Sequence, residues 1–308
     1  MVERLDGRTE STFVDRESGE PCTEHVHRGG FFRWLYGSRA GRALRGWLTG
    51  SRLLHRALAR FADSPASRVC IRRFSVLAGV DTDEALEPEG GYRSFNDFFG
   101  RRLRPSCRPL DPDPQALLSP GDGKLFVAGD LGSEARLSIK GCSFTAAELL
   151  AKAADAAPYA GGSAAVLRLY LPDYHRVHFP ADGVLDPPRE VLGRYLSVTP
   201  FPGNDEPFYF RNHRVVSVLR SDRFGRIAMV EVGGFLISSV RPLCAARQRV
   251  RRGDEKSLFA FGGSTLVLLA EPGRVVFDAD LLEHSARGLE TRVRLGTRIA
   301  RAGRAGSA

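Results

Sequence analysis

The sequence contains no apolar run near the roughly 18 residues that a helix needs to span a bilayer. Residues 1–24 are polar and lack the apolar centre of a signal peptide. The five cysteines are scattered along the chain without the CxxC spacing of a metal or redox site. These absences predict a cytoplasmic protein with reduced thiols.

Lysine is also scarce: only four of the 45 basic residues are Lys, and the rest are Arg. The formal net charge is +9 at pH 7, which favours an anionic partner such as nucleic acid, phospholipid head groups or an acidic substrate. No recognised nucleic-acid motif accompanies the charge, so we expect no nucleic-acid partner.

Acidic residues are absent from residues 31–60, which hold seven Arg and both Trp of the chain. Apolar residues recur there at helical spacing, and Arg52, Arg56 and Arg60 form a separate four-residue row, so we predict helices with one apolar and one cationic face. Such helices can lie in a membrane interface, with Trp at head-group depth and Arg on anionic phosphates. The alternative is a helical pair that packs on the protein's own core and leaves a solvated basic face.

The chain divides into three regions of different pattern. Residues 1–30 have no periodicity and are predicted to be a disordered tail. Residues 31–114 are predicted to be a helical region, membrane-associating in the first of the two interpretations above, that ends in a proline-rich linker. In residues 115–308, short apolar runs alternate with Gly, Pro and Asp, which predicts strands and one helix near Thr145–Ala154. We therefore predict an α+β fold in which short amphipathic helices precede a β-rich, sandwich-like catalytic core. The predicted strands are Lys124–Val127, Ala165–Tyr170, Val215–Leu219, Ile227–Val232, Leu236–Val240, Leu266–Ala270, Val275–Phe277 and Thr291–Leu295.

Three separate stretches of the β-rich region supply a carboxylate, two imidazoles and a hydroxyl. Asp122 lies in an Asp-Gly turn, and Ser264 follows two glycines at the start of an apolar run. His175 and His178 lie between them in sequence, and together these groups are the parts of a general-base relay.

Each of these groups also has a plain structural interpretation. Asp122 is typical of a turn, the Gly-Gly-Ser stretch is typical of a hairpin, and the two histidines could be a metal pair. The H-E-x-x-H ligand set is absent, however, and so is the G-x-S-x-G elbow of common esterases. Residues three apart point to opposite sides of a straight strand, so His175 and His178 share a site only if this stretch bends, which the flanking prolines allow.

Further motifs stand in a fixed order along the chain. They are Ser94-Phe95-Asn96-Asp97-Phe98-Phe99, Arg101-Arg102-Leu103, Arg108-Pro109, Ser119-Pro120-Gly121-Asp122-Gly123-Lys124, Ile139-Lys140-Gly141, Asp173-Tyr174-His175-Arg176-Val177-His178 and Gly262-Gly263-Ser264-Thr265. Together they resemble the phosphatidylserine decarboxylase family, from about Phe31 to Ile299. The final G-G-S-T, where many bacterial members have L-G-S-T, resembles the second type of the family. The familiar Asn-Glu-Arg element departs from the pattern here, as Asn212-His213-Arg214.

The resemblance implies that the chain cuts itself between Gly263 and Ser264. Ser264 Oγ would attack the Gly263 carbonyl, and elimination would leave residues 1–263 and 264–308, the latter with a pyruvoyl group made from Ser264. Asp122 would orient His178, which would deprotonate Ser264, while His175 would serve decarboxylation. The sequence alone does not separate the roles of the two histidines.

The resemblance further implies a carboxy-lyase that converts phosphatidylserine to phosphatidylethanolamine through a Schiff base on the pyruvoyl group, without metal or pyridoxal phosphate. The implied partners are phosphatidylserine, an anionic membrane surface and the two cleaved chains as a heterodimer, with further dimerisation left open. The implied location is peripheral, on the cytoplasmic side of the cell membrane. The alternatives are a pyruvoyl-dependent decarboxylase of a soluble amino acid or another serine lipid, and a non-catalytic β-sandwich binding module.

Overall fold

The computed structural model describes residues 4–5, 8–25, 34–35, 38–139, 142–196, 208–234, 239–262 and 264–303. Gly263, the Lys140-Gly141 pair and most of the predicted strand Leu236–Val240 lie outside the described residues. The helices are α1 (Arg39–Gly50), α2 (Arg52–Asp63), α3 (Val69–Ala78), α4 (Phe95–Phe99), α5 (Ala146–Leu150), α6 (Ala153–Ala156), α7 (Phe208–Arg211) and α8 (Ala279–Ala286). The strands are β1 (Arg4–Leu5), β2 (Arg8–Asp15), β3 (Pro21–His25), β4 (Ala85–Leu86), β5 (Arg102–Leu103), β6 (Ala116–Leu118), β7 (Gly123–Ala128), β8 (Arg136–Ile139), β9 (Cys142–Thr145), β10 (Ser163–Leu169), β11 (Arg176–His178), β12 (Gly183–Leu185), β13 (Arg189–Val191), β14 (Arg214–Ser221), β15 (Gly225–Gly233), β16 (Val240–Pro242), β17 (Arg249–Val250), β18 (Glu255–Phe259), β19 (Ser264–Ala270), β20 (Val275–Phe277), β21 (Glu290–Val293) and β22 (Arg298–Ala302).

A large sheet organises the molecule, with the strand order β1-β2-β21-β7-β10-β19-β15-β14-β12-β17. Its central strands are antiparallel, whereas β2 and β21 run parallel. Along β19, Leu266 and Leu268 enter one buried core, and Val267 and Leu269 enter another on the opposite face. Both faces are covered, which explains why the central strands are continuous apolar runs rather than alternating ones. The α+β class predicted from the sequence is confirmed.

Smaller elements cover the two faces of this sheet. The small sheets β11-β18-β16 and β20-β22-β6, together with α8, pack on the first face. The hairpin β8-β9 and the helices α5 and α6 pack on the second face. The helix predicted near Thr145–Ala154 is divided in two, because α5 ends at Ala151 in the left-handed conformation (φ 53°) before α6 begins. The β-rich region is therefore one broad sheet with a cover on each face.

The N-terminal segment, predicted to be disordered over residues 1–30, instead contains a hairpin of β2 and β3 that extends the large sheet. Phe13 is buried, and so is Glu24. The Glu24 carboxylate lies 2.7 Å from Lys124 Nζ and 3.0 Å from a guanidinium nitrogen of Arg168, and both cations are buried as well. Glu24, one of the polar residues that suggested disorder, thus pairs with buried cations far along the chain.

Candidate active site

Two of the predicted site residues lie at the starts of the two strands that flank β10. The strand registers place Asp122, just before β7, and Ser264, the first residue of β19, on either side of the end of β10. From that end the chain turns through Tyr170 and Asp173, where a backbone hydrogen bond of 3.0 Å closes the turn, and then reaches His175. The structure therefore brings Asp122, His175, His178 and Ser264 to the same end of these strands, while Gly263, the remaining predicted site residue, lies outside the described residues.

Backbone hydrogen bonds fix the histidine segment between the other two parts of the site. The His178 N–H donates to the Pro120 carbonyl (2.8 Å), two residues upstream of the predicted carboxylate. The Phe259 N–H donates to the His175 carbonyl (2.9 Å), five residues upstream of the predicted nucleophile. The strand β11 begins only after His175, and its register shifts between Val177 and His178. This irregularity lies between the two histidines, in the stretch that would have to bend for both of them to share one site.

The Ser264 side chain belongs to the same face of the sheet as the histidine strand. Side chains alternate along a strand, so Ser264 shares its face with Leu266 and Leu268, and Val177 of β11 belongs to that same core. The Ser264 hydroxyl is fully buried and has no hydrogen-bond partner within the described residues. A buried polar group without a partner costs about 1–3 kcal/mol, which native proteins tolerate mainly where the group has a function.

The loop before Ser264 is held by a side chain from α4. The Phe261 N–H donates to Asn96 Oδ1 (3.0 Å), and Asn96 Nδ2 donates to Asp63 Oδ1 at the end of α2 (2.9 Å). Gly262 has a φ of 130°, which residues with a Cβ rarely adopt. Gly263, the predicted cleavage partner, lies outside the described residues. Asn96 belongs to a motif that the sequence singled out, but its contact with this loop could not be read from the sequence.

His175 is neutral and presents an unpartnered nitrogen. Its Nδ1–H donates to the Asp173 carbonyl (2.9 Å), and this bond assigns the lone pair to Nε2. Nε2 is buried without a hydrogen-bond partner in the described part of the chain, and the Phe99 ring packs against the imidazole at 3.9 Å between centroids. Burial, assisted by the positive charge of Arg101, lowers the pKa of His175 to about 3. The imidazole is therefore neutral at pH 7, with a free lone pair on Nε2 and low basicity.

His178 is hydrogen-bonded at both nitrogens. Its Nδ1–H donates to the Gly253 carbonyl (2.7 Å), and the Tyr174 hydroxyl donates to Nε2 (3.0 Å). Burial lowers the pKa of His178, and burial also raises the pKa of Tyr174, so the phenol remains a donor. Nε2 of a neutral His178 becomes available as a base when the Tyr174 hydroxyl moves aside.

Asp122 is held by an arginine rather than by a histidine. Arg108 Nη2 donates to Asp122 Oδ2 (2.7 Å), and the Leu295 N–H donates to Asp122 Oδ1 (2.8 Å). Among the described contacts no hydrogen bond joins Asp122 to His178, although the charge of Asp122 acts on His178 through space and favours its protonated form. The relay role of Asp122 stays a prediction. Arg108 was part of a quoted motif, but the sequence did not reveal its pairing.

The Asn212-His213-Arg214 element, which differs from the family's Asn-Glu-Arg pattern, is hydrogen-bonded to the strand beside Ser264. Asn212 Nδ2 donates to the Gly233 carbonyl (2.6 Å), and the Gly233 N–H donates to the His213 carbonyl (2.9 Å). Gly233 is the register partner of Ser264 across β15 and β19. His213 Nε2 lies 2.6 Å from a Glu190 oxygen, so the histidine is accommodated by a carboxylate. The last residue of the element donates to the carbonyls that end α5.

An apolar cavity of about 530 Å³ lies between α2, α3 and α4, beside the loop that precedes Ser264. Phe261, three residues before Ser264, lines it and packs edge-on against Phe95 at 4.9 Å. Phe61 and Leu77 line it as well, and they are 50% and 59% exposed. The cavity therefore connects an exposed apolar surface with the loop that precedes Ser264.

The N-terminal helices leave unusually many apolar side chains in solvent. Within α3 no residue is buried, and Trp47 of α1 and Leu53 of α2 are 62% and 78% exposed. Exposed apolar side chains in such numbers mark interaction surfaces, and the exposed cations Arg39, Arg56 and Arg60 lie on the same two helices. Among the described helices, none has the length and apolar composition to cross a membrane.

Comparison with known proteins agrees with the family resemblance of the motifs. A family described as Phosphatidylserine decarboxylase matches residues 95–301. The phosphatidylserine decarboxylase proenzyme of Chlamydia muridarum is 38% identical over 288 residues, which cover 93% of this chain and 96% of that one. Those of Ruminiclostridium cellulolyticum and Desulfitobacterium hafniense strain Y51 are 35% and 33% identical over 286 and 300 residues, or 92% and 97% of this chain and 95% and 98% of theirs. This chain therefore belongs to the phosphatidylserine decarboxylase family.

Proposed function

We propose that this protein matures by cutting itself between Gly263 and Ser264, and that the mature enzyme decarboxylates phosphatidylserine to phosphatidylethanolamine. The observation that supports the proposal is the placement of a buried Ser264 hydroxyl, without a hydrogen-bond partner among the described residues, at the same end of the strands as two neutral histidines. Such a hydroxyl is a nucleophile once a base takes its proton. Membership of the phosphatidylserine decarboxylase family supports self-cleavage and decarboxylation as the reactions of this arrangement.

In self-cleavage, Ser264 Oγ attacks the carbonyl carbon of Gly263 while its proton passes to Nε2 of His178. The C–N bond breaks, the Ser264 nitrogen takes up the proton, and an ester replaces the amide. Nε2 of His178, free again, then takes the Ser264 α-proton, the Cβ–Oγ bond of Ser264 breaks, and its electron pair leaves with the Gly263 carboxylate to give dehydroalanine. Water converts dehydroalanine into the pyruvoyl group and ammonia. The negative charge of Asp122 stabilises the imidazolium cation that forms at His178.

The residues around Ser264 fit a pyruvoyl group, because the position is buried and its oxygen has no competing partner in the described residues. The group supplies a carbonyl that binds the substrate amine and accepts the electron pair left by carbon dioxide. His175 has the proton-handling role: its Nε2 takes a proton from the incoming ammonium group and returns one to the substrate carbon. Its burial beside Phe99 excludes competing water.

The lipid nature of the substrate is supported by the helices rather than by the catalytic residues. The cavity beside Phe261 has the size and apolar lining to receive part of an acyl chain, and it opens among exposed apolar side chains. The exposed Arg39, Arg56 and Arg60 supply cations for anionic head groups. We place this surface on the cytoplasmic leaflet as a peripheral contact, with the head group directed towards Ser264.

The test combines intact mass with a decarboxylation assay. The purified protein should consist of residues 1–263 and a second chain of 308 − 263 = 45 residues, the latter blocked to Edman sequencing. It should release carbon dioxide from phosphatidylserine vesicles and not from free serine, whereas Ser264→Ala should stay a single inactive chain. A wild-type enzyme that is active while uncut would refute the maturation, and activity on serine alone would favour the soluble amino acid alternative.

A further inference from the structure

A second set of unpartnered polar groups lies beside His175, on Arg101 and Tyr92. The Arg101 side chain is buried, with the residue 4% exposed. Its Nη2 donates to the carbonyl oxygens of Pro172 (2.8 Å) and Asp173 (3.4 Å). Its Nε and Nη1, and the Tyr92 hydroxyl, are buried and have no hydrogen-bond partner in the described part of the chain. Three guanidinium N–H bonds and one phenol are thus available as donors.

Shared contacts place these donors together and next to the catalytic segment. The Arg101 guanidinium carbon lies 5.4 Å from the centre of the Phe98 ring, and the Tyr92 ring meets that same ring edge-on at 5.2 Å. The Asp173 carbonyl that accepts from Arg101 also accepts the Nδ1–H of His175 (2.9 Å). One oxygen atom therefore joins the cation to the imidazole that we assign to decarboxylation.

The cation lacks an ion-pair partner within the described residues. Asp122, Asp173 and Glu84 act on Arg101 only through space, and burial outweighs them, so the pKa of Arg101 is lowered. Arg108 differs, because it donates directly to two carboxylates. Burying a cation without a paired anion costs several kcal/mol. The arrangement is that of a site that awaits an anionic ligand.

We propose that Arg101 and Tyr92 bind the phosphodiester of the substrate head group, an inference that rests on the proposed function. Guanidinium N–H groups and a phenol are donors suited to phosphate oxygens. A cation on the substrate carboxylate would oppose the reaction, because negative charge leaves that carboxylate in the transition state. The phosphodiester keeps its charge throughout, so binding it positions the head group at no cost to decarboxylation.

The test uses the mature enzyme with water-soluble dihexanoyl phosphatidylserine, and dihexanoyl phosphatidylethanolamine as product inhibitor. The product keeps the phosphodiester but lacks the carboxylate. Arg101→Gln should raise both KM and the inhibition constant by about 30-fold, as expected for a lost charge-assisted hydrogen bond, while kcat changes less. Tyr92→Phe should raise both by about five-fold. The matched control is Arg102→Gln, since Arg102 is exposed and bonds Glu255; both constants should stay at wild-type values.

The outcomes separate the proposal from its rivals. A raised KM with an unchanged inhibition constant in Arg101→Gln would mean that the cation binds the carboxylate, and the proposal would be wrong. Unchanged constants in both variants, with self-cleavage intact by mass, would also overturn it. If Arg101→Gln does not fold, Tyr92→Phe decides by the same two constants, because it removes a single hydroxyl. A wild-type enzyme without activity on phosphatidylserine would instead refute the proposed function.

Discussion

Arg108 Nη2 lies 2.7 Å from Asp122 Oδ2, so the carboxylate predicted to serve a histidine is held in place by an arginine. The same nitrogen lies 2.7 Å from an oxygen of Glu84. Both ends of the Arg108–Asp122 pair are largely buried. The pair therefore fixes the position of the carboxylate, and its loss would leave Asp122 without a cation to pair with.

Removal of Arg108 should impair both stability and maturation. Arg108→Gln leaves a largely buried carboxylate unpaired, which should cost about 3 kcal/mol in the free energy of unfolding and slow self-cleavage. Denaturant unfolding of the uncut Ser264→Ala protein, with and without Arg108→Gln, measures the first effect, and intact mass over time measures the second. Glu84→Gln keeps the Asp122 pair and should cleave at a near-normal rate. Normal cleavage in Arg108→Gln would remove Arg108 from the site.

The relay variants should separate maturation from decarboxylation. Asp122→Asn and His178→Ala should remain uncut, because both groups are needed to make Ser264 nucleophilic. His175→Ala should cut at least in part and then release carbon dioxide poorly. Intact mass and a carbon dioxide assay on the same samples distinguish these outcomes. If the two histidine variants behave in the opposite way, their roles are exchanged while the site stands.

Self-cleavage should depend on pH through His178. Because burial lowers the pKa of His178 below its ordinary value near 6.5, the imidazole is already neutral at pH 7 and able to act as a base. The cleavage rate should therefore be flat from pH 8 to about 6.5 and should fall only in more acidic buffer. Freshly refolded proenzyme sampled by mass at each pH gives the profile. A half-maximal rate above pH 6.5 would contradict the assignment.

His175 should make the folded state sensitive to acid. Its pKa is about 3 in the folded protein and near 6.5 when unfolded, so the folded state binds fewer protons and stability falls as pH drops from 6.5 towards 3, by about 1.4 kcal/mol per pH unit. Burial raises the pKa of Asp173 to about 6, which acts in the opposite direction between about pH 6 and 4. Unfolding of Ser264→Ala with and without His175→Gln isolates the histidine: the added substitution should remove that slope, and identical pH slopes would refute the prediction.

The helical surface should bind membranes through its arginines. Arg39, Arg56 and Arg60 changed together to Gln should weaken binding to anionic vesicles by about 100-fold, since each cation contributes on the order of 1 kcal/mol, and high salt should mimic the change. Self-cleavage should persist. The exposed Arg211, Arg223 and Arg251, changed together to Gln, provide a control of equal charge. Activity on dihexanoyl phosphatidylserine should fall far less than activity on vesicles; equal loss on both would mean that the helices only support the fold.

The elements with a local signal could be predicted from the amino-acid sequence. Apolar runs bounded by Gly, Pro and Asp located β7, β10, β14, β15 and β19, because a central strand covered on both faces needs consecutive apolar residues. The same pattern located β20, although Val276 at its centre is exposed. The Asp-Gly pair at Asp122 marked the turn that leads into β7. The family motifs likewise selected Ser264 and the two histidines, since each motif is a short contiguous string.

Which of these groups meet depends on the folded chain, because their contacts join residues far apart in sequence. Glu24 pairs with Arg168, 144 residues away. Glu24 belongs to the segment that was predicted to be a disordered tail and that instead extends the sheet. The Asn96 side chain accepts a hydrogen bond from Phe261, 165 residues later in the chain, and Arg101 donates to the carbonyls of Pro172 and Asp173, about 70 residues later. Composition records that these residues are polar but not what they face. Whether a buried charge is paired, as in Arg108, or lacks an ionic partner within the described residues, as in Arg101, depends on contacts that exist only after the chain has folded.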